Sequence, residues 1–319
     1  MGLISLPNFS TAAIRARRGP KAPVDALRAY HFFREQERSS TGVVEDVATV
    51  LLTNRECPFT CVFCDLWKHT LDNQTPRGAI VAQLQEALPR LLPASVIKLY
   101  NAGNFFDPQA IPPDDWPAIA GQVSAARVVI VENHPRLTDE RVLRFQDLLS
   151  GRLEVALGLE TAHAETLSRL NKQMTVADFE RAAGWLRDHD CDVRAFIQLG
   201  LVGPTDEDDL VWTIRSMKTA FAAGAQTVSV IPTRIGNGVM DDWRVAGHFC
   251  LPQLKSLYAV QQHGLALRAG RVFVDLWNVS EFADCSSCAP QQIVAMNTMN
   301  LTQQPVPWPE CACGNAADA

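Results

Sequence analysis

From about residue 47 onwards, short runs of β-branched and other apolar residues alternate with longer segments of helical periodicity. This alternation is typical of a parallel sheet whose strands are joined by crossover helices. The predicted strands are 47–53, 96–102, 127–131, 153–160, 192–201 and 227–232, and the predicted helices between them are 80–92, 117–124, 138–149, 175–189 and 207–223. The pattern predicts an α/β fold with right-handed crossovers, either an open doubly wound sheet or a partial barrel. In both folds, ligands bind at the carboxyl ends of the strands.

The 319 residues divide by pattern into three parts. We expect residues 1–45 to form a helical extension packed against the barrel, 46–240 to form the core barrel or sheet, and 241–319 to form a smaller cysteine-containing module. The last boundary rests on the weaker alternation after Pro232, where a helix at 251–266 and a strand at 271–275 are still predicted. We therefore expect the chemistry to lie in the central part.

The charge balance is acidic, with a net charge of −6, which argues against a protein that coats nucleic acid by bulk electrostatics. One basic cluster, formed by Arg15, Arg17, Arg18 and Lys21, is predicted to lie on a solvated, flexible arm. No apolar run is long enough for a membrane span, so no membrane contact is expected. Cysteines at metal-ligand spacing favour a reducing cytoplasm over a disulfide-forming compartment.

Three cysteines follow the first predicted strand in the pattern C-x3-C-x2-C: Cys57, Cys61 and Cys64. Iron–sulfur clusters normally take four cysteine ligands, so three close thiolates leave one iron open to a further ligand. A structural zinc site is the alternative, because zinc takes four ligands and His69 is available as the fourth. The spacing therefore predicts an iron–sulfur cluster, with structural zinc as the competing hypothesis.

The triad, with the aromatic Phe63 directly before its third cysteine, resembles the hallmark of the radical S-adenosylmethionine (SAM) superfamily. The resemblance implies an enzyme with a partial (β/α)6 TIM-like barrel and a [4Fe-4S] cluster on Cys57, Cys61 and Cys64. It also implies that SAM binds the open iron. An electron from a flavodoxin- or ferredoxin-type donor then cleaves SAM into methionine and a 5'-deoxyadenosyl radical.

Three further segments resemble SAM-binding motifs of that superfamily. The resemblance implies that the loop after the second strand holds the SAM amino group, although the usual Gly-Gly-Glu is absent. Segment 158–161, Gly-Leu-Glu-Thr, resembles the branch of methylthiotransferases and elongator-type enzymes, which implies that its glutamate bonds the ribose. Glycines after the fifth strand would pack beside the adenine. The residues concerned are Asn101, Gly103, Asn104, Glu160, Gly200 and Gly203.

Taken alone, each of these segments is also typical of an ordinary turn or helix cap. His134, after the third strand, is a candidate for proton transfer or substrate contact, and a structural role is the alternative.

Two cysteine pairs near the carboxyl terminus form a candidate second metal site: Cys285, Cys288, Cys311 and Cys313. Four thiolates at such spacing suit zinc or a second cluster. Unligated thiols in a reducing cytosol are the alternative. Cys191 and Cys250 stand alone and are predicted to be core residues.

A closer resemblance rests on the order of motifs along nearly the whole chain, which is similar to the family of archaeosine synthase radical SAM subunits. The motifs are segments 54–61, 103–108, 158–161 and 300–303 with the two terminal cysteine pairs. That family acts on a lysine-modified deazaguanine base in tRNA and breaks a carbon–nitrogen bond. We therefore predict a radical SAM enzyme that modifies a nucleobase, with deazaguanine and tRNA as candidates, or a small molecule. The alternatives are a radical SAM enzyme for peptides or proteins and a non-enzymatic, zinc-stabilised binding module.

Overall fold

The computed structural model describes residues 7–202, 206–311 and 313. Within these residues, eight strands form one sheet in chain order. They are β1 (His31–Arg38), β2 (Val44–Leu51), β3 (Val96–Tyr100), β4 (Val128–Asn133), β5 (Arg152–Glu160), β6 (Asp192–Leu199), β7 (Thr227–Pro232) and β8 (Arg271–Val274). β1 is antiparallel to β2, and the later neighbours are parallel. The carboxyl ends of β2 to β8 therefore share one rim.

Helices connect the strands and bury apolar faces against the sheet. They are α1 (Thr11–Arg15), α2 (Ala79–Leu91), α3 (Trp116–Gln122), α4 (Glu140–Gln146), α5 (Ala164–Arg169), α6 (Val176–Asp188), α7 (Asp206–Ala222), α8 (Val239–Val245), α9 (Leu254–Ala266) and α10 (Ala289–Thr302). Short 3-10 helices occur at Leu66–His69, Pro113–Asp115, Pro135–Leu137 and Val279–Phe282. α6 begins with a capping box, in which Thr175 and Asp178 each bond the other's backbone N–H.

Contacts across the sheet show that it is curled into a half-barrel. Arg194 of β6 binds Glu37 of β1 at 2.7 Å, although four strands separate them in the sheet. Lys98 of β3 binds the same carboxylate at 2.8 Å. The predicted partial barrel of the radical SAM type is therefore confirmed, with the six predicted strands at β2 to β7 and the predicted strand 271–275 at β8.

The amino-terminal part corrects one expectation, because residues 31–38 form a strand rather than a helical extension. β1 carries Glu35 and Glu37, which face inward and pair with Lys98 and Arg194. Glutamate and arginine have high helix propensity, and inward charges on an edge strand are stabilised only by partners distant in sequence. The local sequence pattern therefore predicted a helix where the structure has a strand.

The basic cluster is also not a flexible arm. Arg18 and Lys21 both bind Glu56, at 2.7 and 2.8 Å, directly beside the cysteine triad. Ile14 is only 1% exposed and packs into an apolar cluster with Val62 of the cysteine loop. Acidic partners and apolar packing hold this segment over the carboxyl rim, and neither was visible in local composition.

The three-part division at residues 45 and 240 stays a prediction, and the sheet itself takes strands from all three parts. β8 is the last strand of the sheet, and side chains of α10 bond its backbone. Asn300 bonds the N–H and C=O of Val274, at 3.0 Å each, and Gln303 bonds those of Val272, at 2.7 and 2.9 Å. Within the described residues, no helix has the length and apolar character needed to cross a bilayer.

Candidate functional site

The cysteine triad lies in the loop after β2, at the carboxyl rim. Backbone hydrogen bonds fix this loop: Glu56 N–H donates to Leu71 at 3.0 Å, and Val62 N–H donates to Leu170 at 3.0 Å. The three thiols are partly buried, and burial raises the pKa of each to about 12. A metal must therefore displace protons that the thiols would otherwise keep at neutral pH.

The spacing of the triad separates a cluster from a single zinc ion. In the described part of the chain, only the four carboxyl-terminal cysteines bring three or more ligand atoms within 4.8 Å of one another. A tetrahedral zinc site with bonds of about 2.3 Å needs sulfurs about 3.8 Å apart. The three triad sulfurs do not all lie within 4.8 Å of one another, and the ring of His69 is stacked on Tyr30. Thiolates that bind separate irons of one cluster lie farther apart, so the triad fits a cluster.

The loop after β3 packs directly on the first cysteine. A Cβ at Gly103 would lie 3.0 Å from the Cβ of Cys57, so a side chain there would shift Cys57. Asn104 is buried and donates a hydrogen bond from Nδ2 to the Sγ of Cys57 at 3.2 Å. Hydrogen bonds to ligating sulfurs are among the features that set cluster potentials. Gly103 and Asn104 therefore position Cys57, and their contact with SAM stays a prediction.

Asn101, in the same loop, has a fully buried side chain whose Nδ2 and Oδ1 atoms both lack a partner within the protein. Its backbone N–H donates to Glu132 Oε2 at 3.1 Å. Burial raises the pKa of Glu132 to about 7, against backbone hydrogen bonds from Asn101 and Gly103 that lower it. Because unpaired buried amide groups are costly, Asn101 offers a donor and an acceptor to a polar ligand.

Glu160 ends β5 with a positive φ of 65° and forms a buried ion pair with Lys172 at 2.6 Å. A Cβ at Gly158 would lie 2.1 Å from Glu160 Oε1, so the glycine makes room for this pair. Glu160 Oε2 is buried without a partner within the protein. Burial lowers the pKa of Lys172, but Glu160 and Cys61 outweigh burial and raise it. Sequence analysis missed Lys172, which no motif marks.

His134 lies against the cysteine loop. Its ring stacks on Phe59, between the first two cysteines, with centroids 3.8 Å apart. Its Nδ1 accepts from the Arg136 N–H at 3.2 Å, which leaves Nε2 to donate to the Lys172 carbonyl at 3.0 Å. Burial lowers the pKa of His134 to about 3. A neutral ring with both nitrogens engaged favours the structural alternative for His134, in which the ring orients the loops of Phe59 and Lys172.

The remaining predicted site residues are two glycines that follow β6 in the sequence and the cysteines outside the triad. Gly200 has a φ of +102°, and a Cβ there would lie 2.9 Å from the Pro252 ring, so packing requires the glycine. Its contact with adenine stays a prediction, and Gly203 lies outside the described residues. The four carboxyl-terminal cysteines do come together. Cys191 is buried as expected, but Cys250 is exposed, so its predicted core position is wrong.

A parallel half-barrel with three thiols of metal-ligand type at its carboxyl rim is the arrangement expected of a metal-centre enzyme. The sequence profile of the Radical SAM superfamily matches residues 51–216, which is more than half of the chain, and the protein belongs to that superfamily. Members of this superfamily are enzymes, so the alternative of a non-enzymatic, zinc-stabilised binding module is excluded for the chain as a whole.

Curated relatives extend the comparison. The chain is 24% identical over 293 residues to archaeosine synthase subunit beta of Methanosarcina acetivorans, which covers 85% of this chain and 84% of that protein. It is 29% identical over 167 residues to the anaerobic magnesium-protoporphyrin IX monomethyl ester cyclase of Rubrivivax gelatinosus, which covers 48% of this chain and 27% of that protein.

Among solved structures, Elp3 of Methanocaldococcus infernus with an amino-terminal deletion has a TM-score of 0.49 and 17% identity. The match covers 61% of this chain and 50% of that one, so this chain spans half the length of that relative.

Proposed function

We propose that the protein is a radical SAM enzyme in which Cys57, Cys61 and Cys64 hold a [4Fe-4S] cluster with one iron open to SAM. The observation that carries this proposal is the combination at one rim of three thiols spaced too widely for zinc with unpartnered polar atoms on Asn101 and Glu160. When bound, the cluster supplies the electron that cleaves SAM to methionine and a 5'-deoxyadenosyl radical.

The protein's own residues have distinct roles around that centre. Asn104 donates to the sulfur of Cys57, and Gly103 lets the loop approach that ligand closely. Asn101 offers its amide to the amino acid end of SAM, and Glu160 Oε2 accepts from a ribose hydroxyl. Lys172 compensates the negative charge of Glu160 and of the neighbouring Cys61 thiolate.

We further propose a modified nucleobase as the substrate, with deazaguanine in tRNA as the first candidate. Support comes from the relative named archaeosine synthase subunit beta, because the match spans most of both chains. Tyr100 and Phe196 pack edge to face at 5.9 Å on the inner surface of the barrel, and aromatic faces suit a planar base. That relative is a subunit, which favours a partner subunit here, besides a flavodoxin- or ferredoxin-type donor.

The radical step is tested by incubating anaerobically reconstituted protein with SAM and dithionite and measuring 5'-deoxyadenosine. We expect product from the wild type and from Cys250→Ala, whose substituted cysteine is exposed and lies outside both cysteine groups. The triple variant Cys57→Ala, Cys61→Ala, Cys64→Ala should form none. Absence of product from wild-type protein with a full iron complement would contradict the proposal.

The substrate class is tested with the same protein after the radical step has been established. Deazaguanine nucleosides and tRNA carrying the deazaguanine base are compared with peptides for stimulation of 5'-deoxyadenosine formation and for a change in substrate mass. Modification of the base supports the proposal. Modification of peptides alone would favour the alternative radical SAM enzyme acting on peptides or proteins.

A further inference from the structure

We propose that Cys285, Cys288, Cys311 and Cys313 bind one zinc ion through four thiolates, and that this ion fastens the carboxyl-terminal segment to α10. The inference is independent of the proposed radical chemistry, because it rests on a different group of residues. Sequence spacing had left zinc and a second cluster open at these cysteines. The distances between their sulfur atoms decide between them.

The four sulfurs have the spacing of a single-ion site. All four Sγ atoms lie within 4.8 Å of one another, and Cys288 Sγ lies 3.4 Å from Cys311 Sγ and 3.5 Å from Cys313 Sγ. Tetrahedral zinc needs sulfurs about 3.8 Å apart, whereas a disulfide needs about 2.05 Å. A cubane cluster places each thiolate on its own iron and separates the thiolates further. The sulfurs of these four cysteines, which we call the tetrad, therefore lie closer together than the sulfurs of the triad.

Each pair of cysteines is held in position by its own surroundings. Cys285 and Cys288 flank the turn into α10, where the N–H groups of Cys288 and Ala289 donate to the Cys285 carbonyl at 3.2 and 3.0 Å. These hydrogen bonds hold Cys285 and Cys288 in position without any contribution from Cys311 and Cys313. It also places the buried Cys288 at the N-cap of α10.

The second pair follows a segment that lies against α9 and α10. The Tyr258 hydroxyl donates to the Val306 carbonyl at 2.6 Å, and Trp308 packs against the Tyr258 ring with centroids 4.7 Å apart. Gln292 of α10 donates to the Pro309 carbonyl at 3.3 Å. Two separately supported pairs thus converge on one point, where four thiolates repel one another unless a cation is present.

A site closed by four thiolates has no open position for a substrate, so the ion has a structural role. α10 begins at this site, and Asn300 near its carboxyl end and Gln303 directly after it bond the backbone of β8. The zinc therefore joins the carboxyl-terminal segment to the helix that covers the last strand of the barrel.

The first test measures zinc and iron per chain after anaerobic purification and cluster reconstitution. We expect about one zinc ion per chain in the wild type, in Cys250→Ser and in the triad variant Cys57→Ala, Cys61→Ala, Cys64→Ala. The variant Cys311→Ser, Cys313→Ser should lose the zinc and keep its iron. Iron and brown colour that persist in the triad variant and disappear when Cys311 and Cys313 are also changed would overturn the proposal in favour of a second cluster.

A second measurement does not require that the variant Cys311→Ser, Cys313→Ser folds. The triad variant, which lacks the strongly absorbing cluster, is loaded with Co²⁺ in place of zinc. We expect thiolate-to-cobalt charge-transfer bands and the intense visible bands of tetrahedral Co²⁺, titrating to one ion per chain and displaced by zinc. Absence of these bands, or a Cys288–Cys311 disulfide found by mass spectrometry of anaerobic protein, would overturn the assignment.

Discussion

At the scale of single residues, polar groups from neighbouring loops contact the cysteines of the triad. Asn104 is the clearest case, because its side chain donates to Cys57 Sγ at 3.2 Å and is buried. A donor to a thiolate stabilises the more negative, reduced state of a cluster. In the proposed cluster, the effect of this amide should therefore appear in the redox potential as well as in stability.

We predict that Asn104→Leu lowers the reduction potential of the cluster. Loss of about 1 kcal/mol of preferential hydrogen bonding to the reduced state corresponds to roughly 40 mV for one electron. The measurement is a redox titration followed by electron paramagnetic resonance. Asn101→Leu is the matched control, since the structure shows no hydrogen bond from the Asn101 side chain, and it should weaken SAM binding with little change in potential. Equal potentials in wild type and Asn104→Leu would refute the role of this hydrogen bond.

The buried pair of Glu160 and Lys172 gives a second prediction at this scale. Lys172→Met leaves the Glu160 carboxylate buried without its cation, and we expect a loss of about 3–5 kcal/mol in the free energy of unfolding. Adding Glu160→Gln removes the unpaired charge and should recover part of that loss, without recovering SAM affinity. Denaturant unfolding and equilibrium SAM binding separate the two effects. Full recovery of SAM binding in the double variant would show that SAM binding does not need the negative charge of Glu160, because glutamine still offers an acceptor oxygen.

At the scale of elements, β1 is held by charges on the inner face of the barrel. Burial raises the pKa of Glu37, but Arg194 and Lys98 outweigh burial and hold it well below its usual value. A carboxylate with a lowered pKa stabilises the fold above the pKa of the unfolded chain, about 4.5, and this stabilisation is lost as pH falls towards the folded pKa. β1 should therefore loosen in acid.

We predict that Glu37→Gln costs about 3–5 kcal/mol at pH 7, because Lys98 and Arg194 lose their shared carboxylate. The difference between variant and wild type should shrink as pH is lowered below about 4.5. Denaturant unfolding of the chain without its cluster gives this comparison free of acid-labile iron and sulfide. Glu140→Gln, at the first position of α4, is the control and should change stability little. A pH-independent difference for Glu37→Gln would contradict the ionic explanation.

Local sequence is enough to predict some strands and helices of this fold and not others. The parallel strands and the α6 capping box follow from apolar runs and from Thr175 and Asp178, so they could be predicted. β1 could not, because its inward glutamates are stabilised by Lys98 and Arg194, far along the chain. In the site, the spacing of the cysteines indicated the triad. Lys172 and the Asn104–Cys57 hydrogen bond arise only when separate loops meet at the rim.

At the scale of the whole molecule, an open half-barrel leaves the backbone of its last strand to be satisfied by other groups. Here α10 supplies side-chain amides in place of a ninth strand. Asn300 and Gln303, one helical turn apart, each bond both backbone groups of one β8 residue. The proposed zinc lies at the other end of the same helix. Barrel closure and zinc binding should therefore be coupled.

We predict that Asn300→Leu with Gln303→Leu speeds amide hydrogen exchange at Val272 and Val274 by at least about tenfold. Each lost bond leaves a backbone group unsatisfied at about 1–3 kcal/mol, and 1.4 kcal/mol is a factor of ten in local opening. Val228 and Val230 of β7 bond to neighbouring strands and serve as internal controls whose exchange should change less. Removing the zinc with Cys311→Ser, Cys313→Ser should produce the same pattern more weakly, since α10 then keeps both amides but loses its anchor. Exchange at β8 that responds to the amide variant and not to zinc removal would show that α10 closes the barrel without help from the metal.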